Sequence, residues 1–327
     1  MTEPTMRAAV IDQLGGLPSY REILRPKPAP GQVLVRVVAA ALNPVDLRIA
    51  SGGFYGGAPE VPYIPGSEGV GFVVGGAPHL RGKRVRFQVT GGSGGALAEW
   101  SAADAATCLT LPSALPSATA AGLGVAGMAA WISLVDKVKL QPGERVLILG
   151  ATGTVGQLAV QIATLLGAGR VVAAGREPQA LAQTLGLGAD AIVAIAGQSE
   201  EELRDEFLAA AGGQLHVVFD PVWGRPLQAA VAAAAPLARI VNLGQSAGDE
   251  ATLSSAVVRG RQLTIIGHSN PNTSWKVRAH AFRELADHSA GGRIRLKVEE
   301  LPLSEIASGW KRQASSPHVK LVLTPSP

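Results

Sequence analysis

The chain is predicted to be an α/β protein that couples a small, partly closed antiparallel β-barrel to a doubly wound parallel sheet. Three observations carry this. From 6 to 115, short apolar runs are separated by Gly and Pro clusters. From 117 to 267, strand-like and helix-like runs alternate. At 145–156, RVLILGATGTVG, a buried apolar strand enters a glycine-punctuated turn that opens an amphipathic helix. A length of 327 residues favours two domains over one core.

In the first region the runs at 7–11, 33–40, 70–74 and 84–89 are strand candidates, and their spacing fits a barrel. GGSGG at 91–95 is too short and too embedded between strands for a linker, and is expected to be a loop. In the second region, strands are expected at 146–149, 171–174, 191–194, 217–220, 239–243 and 263–267, with helices such as 200–211 and 226–235 between them. The last segment, 270–327, carries a helix at 273–289, a strand at 298–301, a short helix from 304 and the strand-like KLVLTP. It is too small to stand alone, so it is expected to complete the barrel. The domains are therefore drawn as 1–116 with 268–327, and 117–267.

The turn at 151–156 combines the elements that seat a pyrophosphate on a helix N-terminus. Ala151, Thr152, Gly153, Thr154, Val155 and Gly156 are the candidate contacts. Gly153 lets the backbone approach phosphates, and Gly156 lets the helix pack on its strand. Ala151 stands where the first glycine of the motif usually lies. The competing reading is a glycine-rich turn that binds nothing.

At the end of the next strand an NAD enzyme places a carboxylate for the ribose hydroxyls. This chain has Gly175 and Arg176 in AAGREP. A guanidinium pairs with a 2′-phosphate, and Gly175 leaves room for it, so NADPH is the expected cofactor. The alternative is an ordinary surface arginine. The loop at 242–245, with Leu243, Gly244 and Gln245, lies past the carboxyl end of a strand, where open α/β sheets bind ligands. Asp220, Pro221 and Val222 end the preceding strand similarly.

Composition excludes several classes. Hydrophobic residues make up 47% and charged residues 17%, which argues against extended disorder. The formal charge of +4 is scattered, so no nucleic-acid partner is expected. Cys108 is the only cysteine, which excludes an intramolecular disulfide and multi-cysteine zinc sites. It lies among apolar residues and reads as an inert thiol. The six histidines show no metal spacing, and neither His216 nor His268 is given a catalytic role. No signal peptide is evident, and no uninterrupted apolar run reads as membrane-spanning. The expected location is cytoplasmic, with no membrane partner.

Several motifs in order extend the reading: ALNPVDLRIASG (41–52), YIPGSEGVGFVV (63–74), GALAEW (95–100), AGMAAW (126–131), the turn at 151–156, VNLGQSAG (241–248) and RGRQLTIIG (259–267). On these the chain resembles the zinc-free quinone oxidoreductase branch of the medium-chain dehydrogenase/reductase superfamily, over nearly its whole length. The resemblance implies a GroES-like antiparallel barrel, with a Rossmann domain inserted into it, and a cofactor cleft between the two. It also implies a homodimer paired through the strand near 262–267. Ala151 is a variant this branch commonly uses.

Zinc-using relatives place Cys at the position of Asn43, His at that of Ser67 and a third ligand near Gly122, and carry a four-cysteine lobe absent here. Glu68 alone does not hold a catalytic zinc, so no metal is expected. In quinone reductases the Asn at position 43 lines the substrate site with a Tyr at the position of Arg48. Arginine offers a permanently charged donor to an oxyanion but no general acid at neutral pH. Asn43 before Pro44 fits a structural turn equally well, and Asp46 is expected to orient Arg48 or local backbone. Tyr63 is the candidate phenol, with Tyr55 also near. Relatives often carry a Tyr near the 2′-phosphate where this chain has Ile195.

The resemblance implies an NADPH-dependent reductase of a quinone, enone or related activated carbonyl. Two alternatives stay open. One is an NADPH-binding redox-sensing or structural protein without turnover. The other is an enoyl reductase acting on larger acyl substrates, although no basic patch for a carrier protein is evident.

Overall fold

A computed structural model describes residues 3–89 and 94–325. The chain divides into two compact units, one of Met1–Val125, Phe282–Gly292 and Leu296–Pro327, the other of Ala126–Ala281 and Arg293–Arg295. The two main crossings fall inside helices (Ser117–Ile132 and Trp275–Ala290) and not at the loops near 117 and 267. The loop read at 91–95 lies partly outside the described residues.

The first unit is built on a seven-stranded sheet and a two-stranded hairpin. The sheet's long strand Gln32–Ala41 pairs antiparallel with Glu68–Gly75 and Trp100–Asp104, and Glu68–Gly75 pairs with Arg84–Gln88. Alternation in Gln32–Ala41 puts Val33, Val35 and Val37 into the core, as the two-residue period of a half-buried strand requires. The terminal strand Lys320–Thr324 pairs antiparallel with Gln32–Ala41 and parallel with Val298–Pro302, so the last segment completes this sheet. Thr5–Val10 and Ser19–Leu24 form the hairpin; in the second strand Ser19, Arg21 and Glu22 interrupt the apolar residues and none of the six is buried, so no apolar run marked it.

The second unit holds a six-stranded parallel sheet in the spatial order Ala191–Ala194, Arg170–Gly175, Arg145–Ile148, Leu215–Asp220, Ala234–Asn242, Thr264–Gly267. All its pairings are parallel. Its central strands are buried on both faces and so read as continuous apolar runs. Connections leave the strand Arg145–Ile148 in one direction and Leu215–Asp220 in the other, which opens a crevice at the carboxyl ends of this adjacent pair.

One expectation is corrected. The helix read at 226–235 is Gly224–Ala232, and the fifth strand begins early, at Ala234. Pro236 disfavours helical backbone at Ala235, and alanine propensity does not prevail over that constraint. The helix Ser117–Ile132, continued by the π-helical turn Ser133–Lys137, is long and apolar enough to cross a membrane by length and composition alone. Ser117, Thr119 and Ser133 do not interrupt it. With 72% of its apolar window buried inside the protein, it has the character of a core helix.

Candidate functional site

The dinucleotide turn is built from backbone constraints. Ala151 N donates to Ala174 O at 2.9 Å, tying the turn to the neighbouring strand. Gly150, one residue before the motif, adopts φ +60°, and a Cβ there would lie 2.9 Å from Val222 Cγ1. The sharp reversal is thus made by Gly150, which explains why Ala151 is accommodated. A Cβ on Gly156 would lie 2.3 Å from Gly150 O and 2.6 Å from Ala151 Cα, so only glycine permits this helix–strand contact. On Gly153 it would meet only Gly150 O, at 3.6 Å. Gly153 caps the helix Thr154–Leu165 with no side-chain hydrogen bond. An open glycine at a helix N-terminus fits a pyrophosphate.

Gly175 is explained differently from the sequence reading. A Cβ there would lie 2.8 Å from Thr152 Cγ2 and 3.3 Å from Leu181 Cδ1, so its small size serves packing within the turn. Arg176 follows on the exposed surface. Its neighbour Glu177 is a carboxylate the sequence argument did not weigh. That carboxylate caps the next helix, accepting from Gln179 N at 3.1 Å and Ala180 N at 2.6 Å. Ile195 is buried and donates its N–H to Gly175 O at 3.0 Å.

Three loops at the carboxyl edge are tied together. Leu243 N donates to Asp220 O at 2.9 Å, and Asn242 Nδ2 donates to Asp220 Oδ2 at 2.9 Å and to Gly244 O at 2.8 Å. Asp220 also accepts from Val222 N and Trp223 N, and its burial raises its pKa above the usual carboxylate range. Gln245 is exposed at the rim. His268, given no catalytic role from the sequence, is buried and donates its backbone N–H to Asn242 O at 2.8 Å. Its Nε2 meets Asn270 Oδ1 at 2.9 Å, and burial holds its pKa below the ordinary histidine value.

The first unit contains a buried polar cluster around the head of the helix Pro44–Ala50. Asn43 occupies the N-cap and Pro44 the first turn, so the structural-turn reading of this pair is correct as far as the backbone goes. Asp46 Oδ2 accepts from Asn43 N at 2.8 Å, and its Oδ1 accepts from Ser67 N at 3.0 Å and Ser67 Oγ at 2.6 Å. Asp46 therefore orients backbone and Ser67, not Arg48. Burial raises its pKa, and the Ser67 hydroxyl opposes this.

The Asn43 side chain serves another partner. Its Oδ1 accepts from Lys320 Nζ at 2.5 Å, while its Nδ2 makes only long contacts of 3.5 Å to Ala41 O and Glu68 Oε1. Lys320 Nζ also donates to Leu42 O at 3.0 Å. Glu68 is fully buried, accepting from Arg86 Nη2 at 2.7 Å and Val125 N at 2.6 Å. A Cβ on Gly124 would lie 1.7 Å from Glu68 Oε2, so the carboxylate depends on a glycine there.

Arg48 lies outside this cluster, exposed, with Nε donating to Gly53 O at 2.9 Å. Tyr63 is buried, with a hydroxyl that has no hydrogen-bond partner among the described residues. Burial, and then the Asp46 charge, push its pKa up to about 12, so the phenol stays protonated at neutral pH. Tyr63 lines a cleft of about 420 Å³ together with Val10, Gln88, Trp100 and Ser101. Tyr55 is exposed and packs on Phe54 with centroids 4.4 Å apart. Cys108 is half-buried, its thiol pushed up to about 11 by burial, which suits an inert group.

The donor set does not fit a zinc ion. Asn43 Oδ1 already accepts an ammonium, the Ser67 hydroxyl donates to Asp46, and Gly122 has no side chain. Among the described residues no group of three or more His, Cys, Asp and Glu is arranged to hold a metal.

Burial pulls Lys320 down to about 8, partly offset by Glu68 and Asp46. An unfolded lysine titrates near 10.4. Between these values the unfolded chain binds more protons, so this group's contribution to stability rises with pH, by ~3 kcal/mol over the window. Urea unfolding at pH 8 and pH 10 is expected to show this rise in wild type relative to Lys320→Met; equal pH dependence in both would refute it.

The chain is similar to known proteins along most of its length. Residues 29–113 match the family described as the alcohol dehydrogenase GroES-like domain, and residues 154–288 the one described as zinc-binding dehydrogenase. The chain is 32% identical, over 97% of its length, to a phenolphthiocerol/phthiocerol polyketide synthase of Mycobacterium tuberculosis, of which it spans 15%. It is 34% identical to the quinone oxidoreductase of Pongo abelii over 53% of this chain and 54% of that protein. The chain thus spans about half the length of that relative, and far less of the synthase. A solved alcohol dehydrogenase superfamily protein from Novosphingobium aromaticivorans superposes with a TM-score of 0.83 at 29% identity, covering 98% of this chain and 99% of that one.

Proposed function

Because the chain belongs to the medium-chain dehydrogenase/reductase superfamily, in its quinone oxidoreductase branch, we propose that it reduces a quinone, enone or related activated carbonyl with NADPH and without a metal. The carrying observation is the buried Asn43 amide, whose oxygen is held by Lys320 while its nitrogen keeps donor capacity. A hydride acceptor gains negative charge on oxygen, and a preorganised amide donor in a dry site stabilises that charge.

In this reading the N-terminal turn Ala151–Gly156 holds the pyrophosphate, Arg176 pairs with the 2′-phosphate, and Leu243, Gly244 and Gln245 border the nicotinamide. Bound NADPH supplies the hydride. Arg48 stands on the surface where its guanidinium meets an acidic or oxyanionic substrate, and Tyr63 keeps a protonated phenol in the cleft. The edge strand Thr264–Gly267, with Ile265 38% exposed, is the proposed pairing edge of a homodimer. The proposed location is cytoplasmic.

A second reading, an enoyl reductase acting on larger acyl substrates, draws support from the polyketide synthase likeness across 97% of the chain. Loss of NADPH absorbance is measured with quinones, α,β-unsaturated ketones and an enoyl thioester; the preferred acceptor chooses between the readings. Tight NADPH binding with no turnover of any acceptor rejects both. Arg176→Ala is expected to weaken NADPH about tenfold or more and leave NADH nearly unchanged. Equal losses for both dinucleotides would remove Arg176 from 2′-phosphate recognition.

A further inference from the structure

Lysine is seldom fully buried, and a buried ammonium normally sits in contact with a carboxylate. Lys320 is only 2% exposed, yet its two hydrogen bonds go to neutral oxygens, Leu42 O and Asn43 Oδ1. The charged groups facing it are Asp46 on the helix Pro44–Ala50 and Glu68 on the strand Glu68–Gly75. Arg86, on Arg84–Gln88, already takes one Glu68 oxygen. Asp46 meanwhile is committed to Asn43 N and Ser67.

We propose that Lys320 is a positioning residue for hydride transfer: its ammonium fixes the orientation of the Asn43 amide and polarises it, making Nδ2 a stronger donor to the acceptor's oxygen. This rests on the reading of Asn43 given above. An ammonium only donates, so Asn43 must turn its oxygen toward Lys320, and its NH₂ is left to face elsewhere. A charge-assisted bond at 2.5 Å draws electron density from the amide, and linked hydrogen bonds strengthen one another. The Nδ2 contacts at 3.5 Å lie at the outer limit of hydrogen bonding, so that strengthened donor is not consumed within the protein. The charge that zinc provides in metal-using relatives is here supplied by the chain's own cation.

The backbone supports this assignment. Val322 and Leu323 pair with Ala41 and Ala40, which sets Lys320, the first residue of its strand, level with Leu42 and Asn43 just past the end of Gln32–Ala41. A Cβ on Gly122 would lie 3.0 Å from Lys320 Cγ, so the lysine stem is packed in place.

The test uses wild type, Lys320→Met, Asn43→Ala and the double variant with the best acceptor found. Lys320→Met is expected to lower kcat about tenfold to a hundredfold. The dinucleotide Kd, read by fluorescence, should stay within about threefold. Added to Asn43→Ala, Lys320→Met should have little further effect, because it acts through that amide. Independent, multiplying losses, or an unchanged kcat in Lys320→Met, would overturn the inference while wild-type turnover keeps the reductase reading intact; absent wild-type turnover removes both. If Lys320→Met does not fold, the wild-type kcat profile decides. A fall above about pH 8 matches the depressed ammonium, whereas a profile flat to pH 10 overturns the assignment. Tyr63, at about 12, does not titrate in that range.

Discussion

Glu68→Ala is expected to lower the melting temperature by roughly 6 to 20 °C, from a loss of about 3–5 kcal/mol. The carboxylate is the only anion bonded to Arg86 among the described residues, and the Nε and Nη1 of Arg86 already lack partners. Both side chains are fully buried, so deleting one leaves an uncompensated charge that the surroundings cannot hydrate. The loss also removes the Glu68 carboxylate from Val125 N. Against a typical total of about 5–15 kcal/mol, this is a large fraction of stability. Calorimetry on wild type, Glu68→Ala and the double variant Glu68→Gln with Arg86→Met checks it. The double variant keeps an acceptor for Val125 N and removes the orphaned charge, so it should recover more than half of the loss. A shift under about 2 °C for Glu68→Ala would show that water reaches Arg86 or that it finds another anion.

Gly156→Val should abolish dinucleotide binding, with affinity falling at least about a hundredfold. Its Cβ would lie 2.3 Å from Gly150 O and 2.6 Å from Ala151 Cα, both backbone atoms that cannot rotate away. The helix Thr154–Leu165 must then shift from its strand, carrying its free N-terminal amides with it. Gly153→Ala makes the contrast. Its added methyl meets nothing nearer than 3.6 Å, so the fold should melt within about 2 °C of wild type. Affinity should still drop, because the methyl projects where a pyrophosphate must approach. Calorimetry and fluorescence titration of the two variants separate packing from ligand contact. Normal binding by Gly153→Ala would move the phosphate site away from this turn.

What the sequence disclosed follows from how far apart the interacting residues lie. The parallel sheet was legible because each central strand is buried on both faces and carries its own apolar run, as in 145–148 and 170–175. Only the start of the fifth strand was misplaced, where alanine helix preference met the constraint of Pro236. The dinucleotide turn was legible because its glycines are local, although Gly150 passed unnoticed until its φ was known. The polar cluster was not legible. Asn43 and Lys320 are separated by 277 positions and Glu68 and Val125 by 57, and no local period links them. One clue was present: Lys320 opens a strand whose next three residues, Leu321, Val322 and Leu323, are all buried. A cation in such a run needs a polar partner inside the core.

The strand Lys320–Thr324 joins the sheet beside Gln32–Ala41, at the far end of the chain. At ribosomal rates of about 5–20 residues per second, its partner emerges roughly 15 to 60 s earlier. Through that interval the nascent barrel presents an open edge, while every strand of the parallel sheet has been synthesised before the closing strand. The inserted unit can therefore mature before the strand that completes the sheet beside Gln32–Ala41 has emerged. Chaperones that shield strand edges should matter most for this protein in the interval before Lys320–Thr324 emerges.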